Sequence, residues 1–248
     1  MSFLTAEWRK LAIANYEIDP ALLLPYLPFR TELDLWKGKC YVSLIGFMFK
    51  DVKLLGLPIP FHTDFEEVNL RFYVKRYETK EDKMNNDYKR GVVFIKEIVP
   101  KPAITFVANT VYGENYQTMK MRHKWIENSD NREIEYTWQK TSKSNKTEKL
   151  NSIYIKAAKN LSEIEEGSET EFITEHYWGY AKQNDKKTNE YEVTHPKWQK
   201  YDVLNYEIKV DFGEIYGKEF SFLDNQKPNS VMLAEGSKIT VEPKNKIK

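Results

Sequence analysis

The sequence predicts a predominantly β fold with only a few short helices. Apolar and polar side chains alternate with a period of two in roughly ten segments, as expected of strands with one buried face. Tyrosine occurs 16 times, phenylalanine 13 times and tryptophan 6 times, and aromatic side chains favour strands. We therefore expect a closed or double-layered antiparallel sheet, with an interior large enough for a small ligand.

The strongest alternation lies in residues 67–75, where every second residue is apolar: Val68, Leu70, Phe72 and Val74. The same period indicates strands at residues 133–138 and at residues 204–211, where Leu204 and Tyr206 are assigned to the apolar side. Unbroken apolar runs indicate strands that are covered on both faces, at residues 41–49, 91–99 and 103–111. Shorter strands are predicted at residues 10–16, 152–156, 191–194, 219–223 and 238–241.

Helix start signals are found at two places. Asp19 precedes Pro20, which is the pattern of an N-cap followed by proline in the first helical position. The segment from Ser168 to Glu171 matches a capping box and predicts a short helix near residues 172–176. Neither signal is followed by a long periodic segment, so both helices are expected to be short.

Two charged stretches, residues 77–90 and 139–149, are predicted to be exposed loops. The chain contains no internal repeat, no long linker and no low-complexity tract. Residues 1–248 are therefore predicted to form one domain.

The composition argues against several classes of function. The net charge is +1, which does not favour nucleic acid as a partner, because phosphate binding needs a clear basic excess. No apolar run approaches the ~20 residues of a membrane span, and the N-terminus lacks the pattern of a signal peptide. Cys40 is the only cysteine, which fits a reducing compartment. We expect a cytoplasmic protein whose partner is a small molecule.

One candidate site is the polar side of the strand at residues 67–75. Glu67, Asn69 and Arg71 are two residues apart and so share one face. A carboxylate, an amide and a guanidinium in this arrangement suit an organic acid. Alternation by itself favours the other interpretation, in which this face is exposed to solvent.

A second candidate is the segment from Tyr112 to Gln117, which contains Gly113 and follows an apolar run. Glycine suits a tight bend, and bends at strand ends often carry ligand contacts. A plain hairpin turn is the alternative.

A third candidate combines Glu175 and His176 with His195. Histidine beside a carboxylate is suited to acid–base chemistry, whereas the alternative is a pair of structural histidines. A metal site that also used His62 or Asp64 is conceivable, but no short-spacing ligand pair supports one, and neither a metal nor another cofactor is expected.

Five spaced motifs are distributed over nearly the whole chain: Phe65-x-Glu67-x-Asn69-x-Arg71-x-Tyr73, Gly91-Val-Val-Phe94, Tyr112-Gly113, Phe172-x-Thr174-Glu175-x-Tyr177 and Val193-x-His195-x-x-Trp198. In combination they resemble the YqjF-like proteins, a family of uncharacterised bacterial proteins in the acetoacetate decarboxylase-like superfamily. The resemblance implies a conical β-barrel within layered antiparallel sheets, with a pocket at its centre. Decarboxylases of this superfamily form homo-oligomers, so the resemblance also leaves a homo-oligomer open.

The resemblance further assigns residues to the pocket. Arg9 falls on the active-site arginine of the decarboxylases and Glu67 on an active-site glutamate. The lysine pair that forms and tunes the decarboxylase Schiff base falls on Tyr116 and Gln117, and neither side chain can form an imine. Lys120 lies four residues further on, which is about 13 Å along a strand. The resemblance therefore implies a decarboxylase-like pocket without Schiff-base chemistry.

Three functions follow from these residues. The first is an enzyme acting on a small keto acid or enol, in which Arg9 or Arg71 holds the acid, Glu67 or Glu175 moves protons and Tyr116 polarises the carbonyl group. The side chains expected to complete its binding site are Asn69, Tyr112, Gln117, His176 and His195. The second is a noncatalytic sensor or carrier of a small molecule. The third is an interaction protein whose barrel is simply packed.

Overall fold

Strands make up most of the structure, a computed structural model that describes residues 2–140 and 149–248. Fifteen strands belong to one sheet. They are β1 (Leu4–Glu17), β2 (Glu32–Leu33), β3 (Tyr41–Leu54), β4 (Leu57–Pro58), β5 (Phe65–Arg76), β6 (Lys89–Val99), β7 (Tyr116–Thr118), β8 (Lys120–Glu127), β9 (Asn131–Gln139), β10 (Asn151–Glu163), β11 (Trp178–Asn184), β12 (Lys187–Thr194), β13 (Gln199–Lys209), β14 (Ser230–Val241) and β15 (Asn245–Ile247).

The helices are all short: α1 (Lys80–Asn85), α2 (Pro102–Val107), α3 (Glu169–Thr174) and α4 (Phe212–Ile215). A π-helical turn continues α2 over Ala108–Tyr112, and 3-10 helices span Pro20–Leu22, Leu24–Tyr26 and Lys218–Asn225. The fold class predicted from the sequence, mainly β with few short helices, is confirmed. In the described part of the chain no helix is long and apolar enough to cross a lipid bilayer.

The central strands pair in a closed circuit. The order β12-β11-β6-β5-β3-β1-β14 is completed by pairing of β14 with β12, where Val193 lies opposite Val241. Most neighbours are antiparallel, but β6 pairs in parallel with both β7 and β11. The sheet continues beyond β14 through β13, β10 and β9 to β8.

Two apolar cores lie on opposite faces of the central strands. Alternate residues of β5 illustrate the division, because Val68 and Leu70 belong to one core whereas Phe65 and Tyr73 belong to the other. The first core also receives buried residues of β9 and β10, so these strands form a second layer over the circuit. The second core lies on the face that surrounds the cavity described below.

The parallel contact between β6 and β11 depends on Gly91. A Cβ atom at Gly91 would lie 2.6 Å from the carbonyl oxygen of Trp178 and 2.5 Å from the ring of Tyr180. Only glycine therefore allows this close approach. The contact holds the start of β11, with Trp178 and Gly179, against the cavity.

The predicted strand at residues 103–111 is wrong, because this segment forms α2 and the π-helical turn. Pro102 occupies the first helical position, for which its fixed φ is well suited. Ile104, Val107 and Ala108 line the cavity at a spacing of three to four residues, whereas Phe106 is 68% exposed. An unbroken apolar run does not distinguish a strand from a helix, and packing at the cavity decided between them.

Two smaller expectations also require correction. Residues 219–223 belong to a 3-10 helix, in which Phe220 and Leu223 are buried three residues apart. Leu204 is 59% exposed because it is the extra residue of a β-bulge opposite Lys156 and Ala157, which disturbs the alternation.

The two predicted loops have different outcomes. Residues 77–90 include α1, which Thr79 caps by accepting from the backbone N–H of Asp82. Of the predicted loop at residues 139–149, residues 141–148 lie outside the described part.

The two predicted N-caps are confirmed, but the second helix, α3, spans Glu169–Thr174 and not residues 172–176. The side chain of Asp19 accepts from the backbone N–H of Ala21 at 2.9 Å, and that of Ser168 accepts from the backbone N–H of Glu171 at 3.1 Å. Glu171 does not return the bond to Ser168 but accepts from Gly167, so the capping box is only half formed.

Candidate functional site

The closed circuit of strands surrounds a cavity of about 290 Å³. Its wall is contributed by residues of β1, β3, β5, β6, β11, β12 and β14, together with α2 and the π-helical turn. Most of the wall is apolar. The polar side chains are concentrated on β5, β6 and the segment that leads into β7.

The polar face of β5 points into this cavity. Glu67, Asn69 and Arg71 all line it and are only 2%, 2% and 8% exposed. The interpretation of this face as solvent-exposed is therefore wrong. The opposite face of β5 carries Val68 and Leu70 in the first core, so the strand is covered on both sides.

The carboxyl group of Glu67 forms two hydrogen bonds with other side chains of the cavity. Its Oε1 accepts a hydrogen bond from Asn69 Nδ2 at 3.0 Å, and its Oε2 accepts from the Tyr116 hydroxyl at 3.1 Å. Burial raises the pKa of Glu67 to about 7, although both hydrogen bonds and the charge of Arg71 oppose the rise. Glu67 is therefore partly ionised at neutral pH.

Glu97 on β6 is a second buried carboxyl group, and the sequence analysis missed it. It is 2% exposed, lines the cavity and lies opposite Asn69 in the β5–β6 pairing. No hydrogen bond to Oε2 is found within the described residues. Burial, together with the charges of Glu114 and Glu67, raises the pKa of Glu97 well above its ordinary value. A glutamate inside the apolar run of residues 91–99 was the available signal.

A third carboxyl group, that of Glu114, lies beside the first two. Its Oε1 accepts from the Tyr191 hydroxyl at 2.7 Å. Burial raises the pKa of Glu114 to about 7, and the charge of Glu67 adds to the rise. We refer to Glu67, Glu97 and Glu114 as the carboxyl cluster. Its members share protons, since ionising one of them makes ionisation of the next less favourable.

Tyr116 is positioned by the chain that precedes it. Gly113 ends the π-helical turn with φ 73°, a left-handed conformation that glycine adopts without strain. Asn109 then accepts from the backbone N–H of Tyr116 at 2.7 Å and donates to its carbonyl oxygen at 3.0 Å. The predicted bend is therefore the end of a helix, and it directs the Tyr116 hydroxyl toward Glu67.

Arg71 is the positively charged group of the cavity. Its Nη2 donates to the carbonyl oxygen of Ile173 at 3.2 Å, while its Nε has no partner among the described residues. A buried guanidinium with a free donor is costly, so an acceptor on a ligand would satisfy it.

Both predicted histidines also line the cavity. His176 Nε2 lies 3.5 Å from Asp34 Oδ2, and burial lowers the pKa of His176 to about 3, so its ring is neutral. His195 stacks on Trp198 with ring centroids 4.4 Å apart, and burial lowers its pKa as well. Tyr112 is another predicted residue that reaches the wall.

Other predicted residues do not reach the cavity. Arg9 lies next to a register shift in the β1–β3 pairing and pairs with Glu7 at 2.9 Å, away from the lining residues. Gln117 on β7 and Glu175, which accepts from the Tyr177 hydroxyl, are likewise outside the lining.

Lysine is absent from the cavity wall as far as the described residues show. Lys120 is exposed at the start of β8, where it pairs with Gln139. Within residues 2–140 and 149–248, no group of three or more histidine, cysteine, aspartate or glutamate residues is arranged to hold a metal ion.

A curated relative supports the resemblance noted in the sequence. The chain is 34% identical over 68 residues to the uncharacterised protein YqjF of Bacillus subtilis. This match spans 27% of the chain and 28% of YqjF, so most of either protein lies outside it.

Solved structures resemble the whole fold. Acetoacetate decarboxylase from Legionella pneumophila superposes with a TM-score of 0.63 at 13% identity, covering 99% of this chain and 87% of that one. The enduracididine biosynthesis enzyme MppR, complexed with pyruvate, gives a TM-score of 0.65 at 8% identity, covering 100% and 91%. An acetoacetate decarboxylase-like enzyme from Sphingomonas wittichii gives 0.64 at 9% identity, covering 100% and 94%. At such identities the likeness establishes the fold alone.

Residues 5–238 also match the profile of a family described as an uncharacterised conserved protein, DUF2071. Since this match extends over nearly the whole chain, the protein belongs to the DUF2071 family.

Proposed function

We propose that this protein catalyses proton transfer on a small keto acid or its enol, without a covalent lysine intermediate. The observation that carries the proposal is the hydrogen bond between Tyr116 and Glu67 beside the second buried carboxyl group, that of Glu97. Acid–base catalysis works best when two groups in one site have different proton affinities near the working pH.

The environments of the two carboxyl groups assign their roles. Glu67 has a pKa of about 7, so a large fraction is ionised at neutral pH and acts as the general base. Burial, reinforced by acidic neighbours, raises the pKa of Glu97 well above its ordinary value, which favours its protonated form, so we assign Glu97 as the acid. One group then removes a proton while the other supplies one.

The reaction is an enolisation. Glu67 takes a proton from the carbon next to the substrate carbonyl, and the electrons of that C–H bond form the carbon–carbon double bond. The carbonyl electrons move to oxygen, which receives the proton of Glu97, so that the enol forms with no net change in protons. Tyr116 stays hydrogen-bonded to Glu67 and keeps its carboxylate oriented.

Arg71 binds the acid group of the substrate. Its Nε, which has no partner among the residues that the structure describes, is buried, and a charge-assisted hydrogen bond to a carboxylate is strong there. MppR, which has a similar fold, binds pyruvate, and this supports an oxo acid as the ligand class. No lysine of residues 2–140 or 149–248 lines the cavity, which argues against the imine chemistry of acetoacetate decarboxylase.

Hydrogen–deuterium exchange tests the proposal directly. The purified protein is incubated in D2O with a panel of 2-oxo and 3-oxo acids, and loss of the α-proton signal is followed by NMR. We expect catalysed exchange for at least one acid, and a loss of at least 100-fold in the Glu67→Gln variant, since general acid–base catalysis contributes ~10²–10⁴-fold.

Glu66→Gln is the matched control. Glu66 is the preceding residue on β5, pairs with His123 at 2.7 Å and lies outside the cavity wall, so its variant should exchange at the wild-type rate. Borohydride should trap no adduct in either protein. Binding of a panel acid without any exchange would contradict catalysis and favour the alternative function, a noncatalytic sensor or carrier.

A further inference from the structure

The apolar part of the cavity wall is not explained by chemistry on a small acid alone. Next to the polar residues of β5 it contains a group of aromatic side chains on β1, β3 and β5. Phe49 stacks on Phe65 with ring centroids 4.9 Å apart. The ring of Trp8 meets those of Phe47 and Phe49 edge to face, with centroid distances of 5.5 and 6.0 Å. We refer to these four residues as the aromatic wall.

The volume of the cavity limits the size of the ligand. A cavity of 290 Å³ is about twice the roughly 150 Å³ of an engineered apolar cavity that binds benzene. It therefore accepts a ligand of about 12 non-hydrogen atoms. A pyruvate-sized acid has about half that number and would leave the aromatic wall without a partner, which forfeits most of the available dispersion and hydrophobic energy.

Distance along the sheet favours one elongated ligand. Phe47 lies directly opposite Glu67 in the β3–β5 pairing, and Trp8 lies opposite Phe49 in the β1–β3 pairing. Trp8 is therefore two strand spacings across the sheet and two residues along it from Glu67, which gives a Cα separation of about 12 Å. Because both side chains line the cavity, an oxo acid that bears one ring is long enough to reach from one to the other.

Trp8 also offers a polar contact at the aromatic wall. Its Nε1 is buried, and no acceptor for it is found among the described residues. A buried indole N–H normally has a partner. An acceptor at the far end of a ligand would satisfy it.

The rim of the cavity has the same apolar character. Ile59 and Val107 line the cavity while remaining 40% and 37% exposed, which places them at its mouth. Their neighbours Phe61 and Phe106 are 88% and 68% exposed. A ligand that enters between these side chains passes over apolar surface, which suits an apolar group more than a small charged acid.

We infer that the ligand is an oxo acid carrying an aryl group, with the acid at Arg71, the carbonyl oxygen at Glu97, the carbon next to it at Glu67 and the ring against the aromatic wall. This inference rests on the proposed function for the orientation of the acid. A hydrogen-bond acceptor at the far end of the ring, within reach of Trp8, completes the ligand.

Calorimetric titration of the wild-type protein with three compounds tests the inference. Phenylpyruvate carries both the acid and the ring, pyruvate lacks the ring and 1-phenylpropan-2-one lacks the acid. We expect phenylpyruvate to bind roughly 10- to 100-fold more tightly than pyruvate, since burying a ring of this size contributes about 1.5–3 kcal/mol. It should also bind at least about tenfold more tightly than the ketone, because a hydrogen bond to a charged group is worth about 1.5–3 kcal/mol.

Two variants locate the ring. Val52 lines the cavity and is 3% exposed, so Val52→Phe fills part of its apolar space and should lower the ratio of phenylpyruvate affinity to pyruvate affinity to about one. Leu57→Phe is the control, because Leu57 lies nearby on β4 but is 69% exposed and outside the wall. If Val52→Phe does not unfold cooperatively, the three-compound comparison decides by itself.

Trp8→Phe tests the far end of the ligand. 4-Methoxyphenylpyruvate should bind the wild-type protein about fivefold more tightly than phenylpyruvate, which is the typical gain from one hydrogen bond, and the variant should lose this gain.

The outcomes separate this inference from the proposed function. Equal binding of pyruvate and phenylpyruvate would overturn the aryl ligand, yet Glu67-dependent exchange of pyruvate would leave the proposed function standing. Equal binding of phenylpyruvate and the ketone would overturn the position of the acid at Arg71. Failure of all three compounds to bind would overturn the inferred ligand class.

Discussion

Replacing Glu67 by glutamine tests the electrostatics of the site through protein stability. The ordinary pKa of a glutamate is 4.5, and burial raises that of Glu67 to about 7. The folded state therefore binds this proton more tightly than the unfolded chain does. The stability that Glu67 contributes is complete below pH 4.5 and is lost as the pH rises through about 7.

The magnitude follows from the pKa values. A rise from 4.5 to about 7 corresponds to about 3 kcal/mol, at about 1.4 kcal/mol for each tenfold change in proton affinity. Glutamine has nearly the shape of a protonated glutamate but never ionises, so it removes this cost. Without the charge of Glu67, the pKa of Glu114 also falls toward its ordinary value, which acts in the same direction.

Urea unfolding of both proteins between pH 5 and pH 8 measures the effect. The free energy of unfolding of Glu67→Gln, relative to wild type, should increase by about 3 kcal/mol over this range, equivalent to roughly 6–12 °C in Tm. At pH 5 the variant should be no more stable than wild type, because glutamine retains only one oxygen for the two donors Asn69 and Tyr116.

The comparison has a clear refutation. If the difference between the two proteins changes by less than about 0.5 kcal/mol from pH 5 to pH 8, the pKa of Glu67 is not raised and its role as the general base fails. The Glu66→Gln control carries the same chemical change outside the cavity and should show no such trend.

Three other measurements follow from the structure. The hydrogen bond from Tyr116 lowers the pKa of Glu67, so Tyr116→Phe should shift the pH profile of the exchange rate to higher pH than in wild type. An unchanged profile would mean that this hydrogen bond does not affect the pKa of Glu67. Glu190→Gln leaves the buried Arg76 without its nearer partner at 2.9 Å and should cost about 3 kcal/mol of stability in urea unfolding. Glu78→Gln, at the exposed partner of the same arginine, should cost about 0.5 kcal/mol, and equal losses would contradict the burial argument. His176 should remain neutral from pH 5 to pH 8 in NMR titrations, since burial lowers its pKa to about 3.

The strands were predictable where a local pattern determined them. The alternation in residues 67–75 reports a pleated segment directly, because successive side chains of a strand point to opposite faces. That strand is observed as β5, extended to Phe65–Arg76. The side on which Glu67 lies was not predictable by alternation, since polar side chains on one face of a strand usually face solvent. Closure of the circuit places that face inside.

The apolar run at residues 103–111 shows the complementary limit. Its composition suits a strand, and only packing of Ile104 and Val107 at the cavity shows the helical period. The signal that would have corrected the interpretation was Pro102, which begins the helix.

The candidate site divides in the same way. Short sequence motifs predicted four residues of the site, and the structure brings all four to one cavity: Glu67, Asn69, Arg71 and Tyr116. Glu97 was missed because its importance depends on pairing between β5 and β6 rather than on a sequence motif. Arg9 matched a decarboxylase motif, but it lies next to a register shift between β1 and β3, and its guanidinium pairs with Glu7 outside the cavity.

The sequence by itself determined the β class, the family and the polar residues of β5, because these depend on local periodicity and on spaced motifs. Only the tertiary structure shows which face of β5 is buried and that three carboxyl groups lie together. It also shows that no lysine among the described residues lines their cavity. The physical reason is that the pKa values of the carboxyl groups depend on desolvation and on neighbouring charges. Both arise only when strands distant in sequence close around the same space.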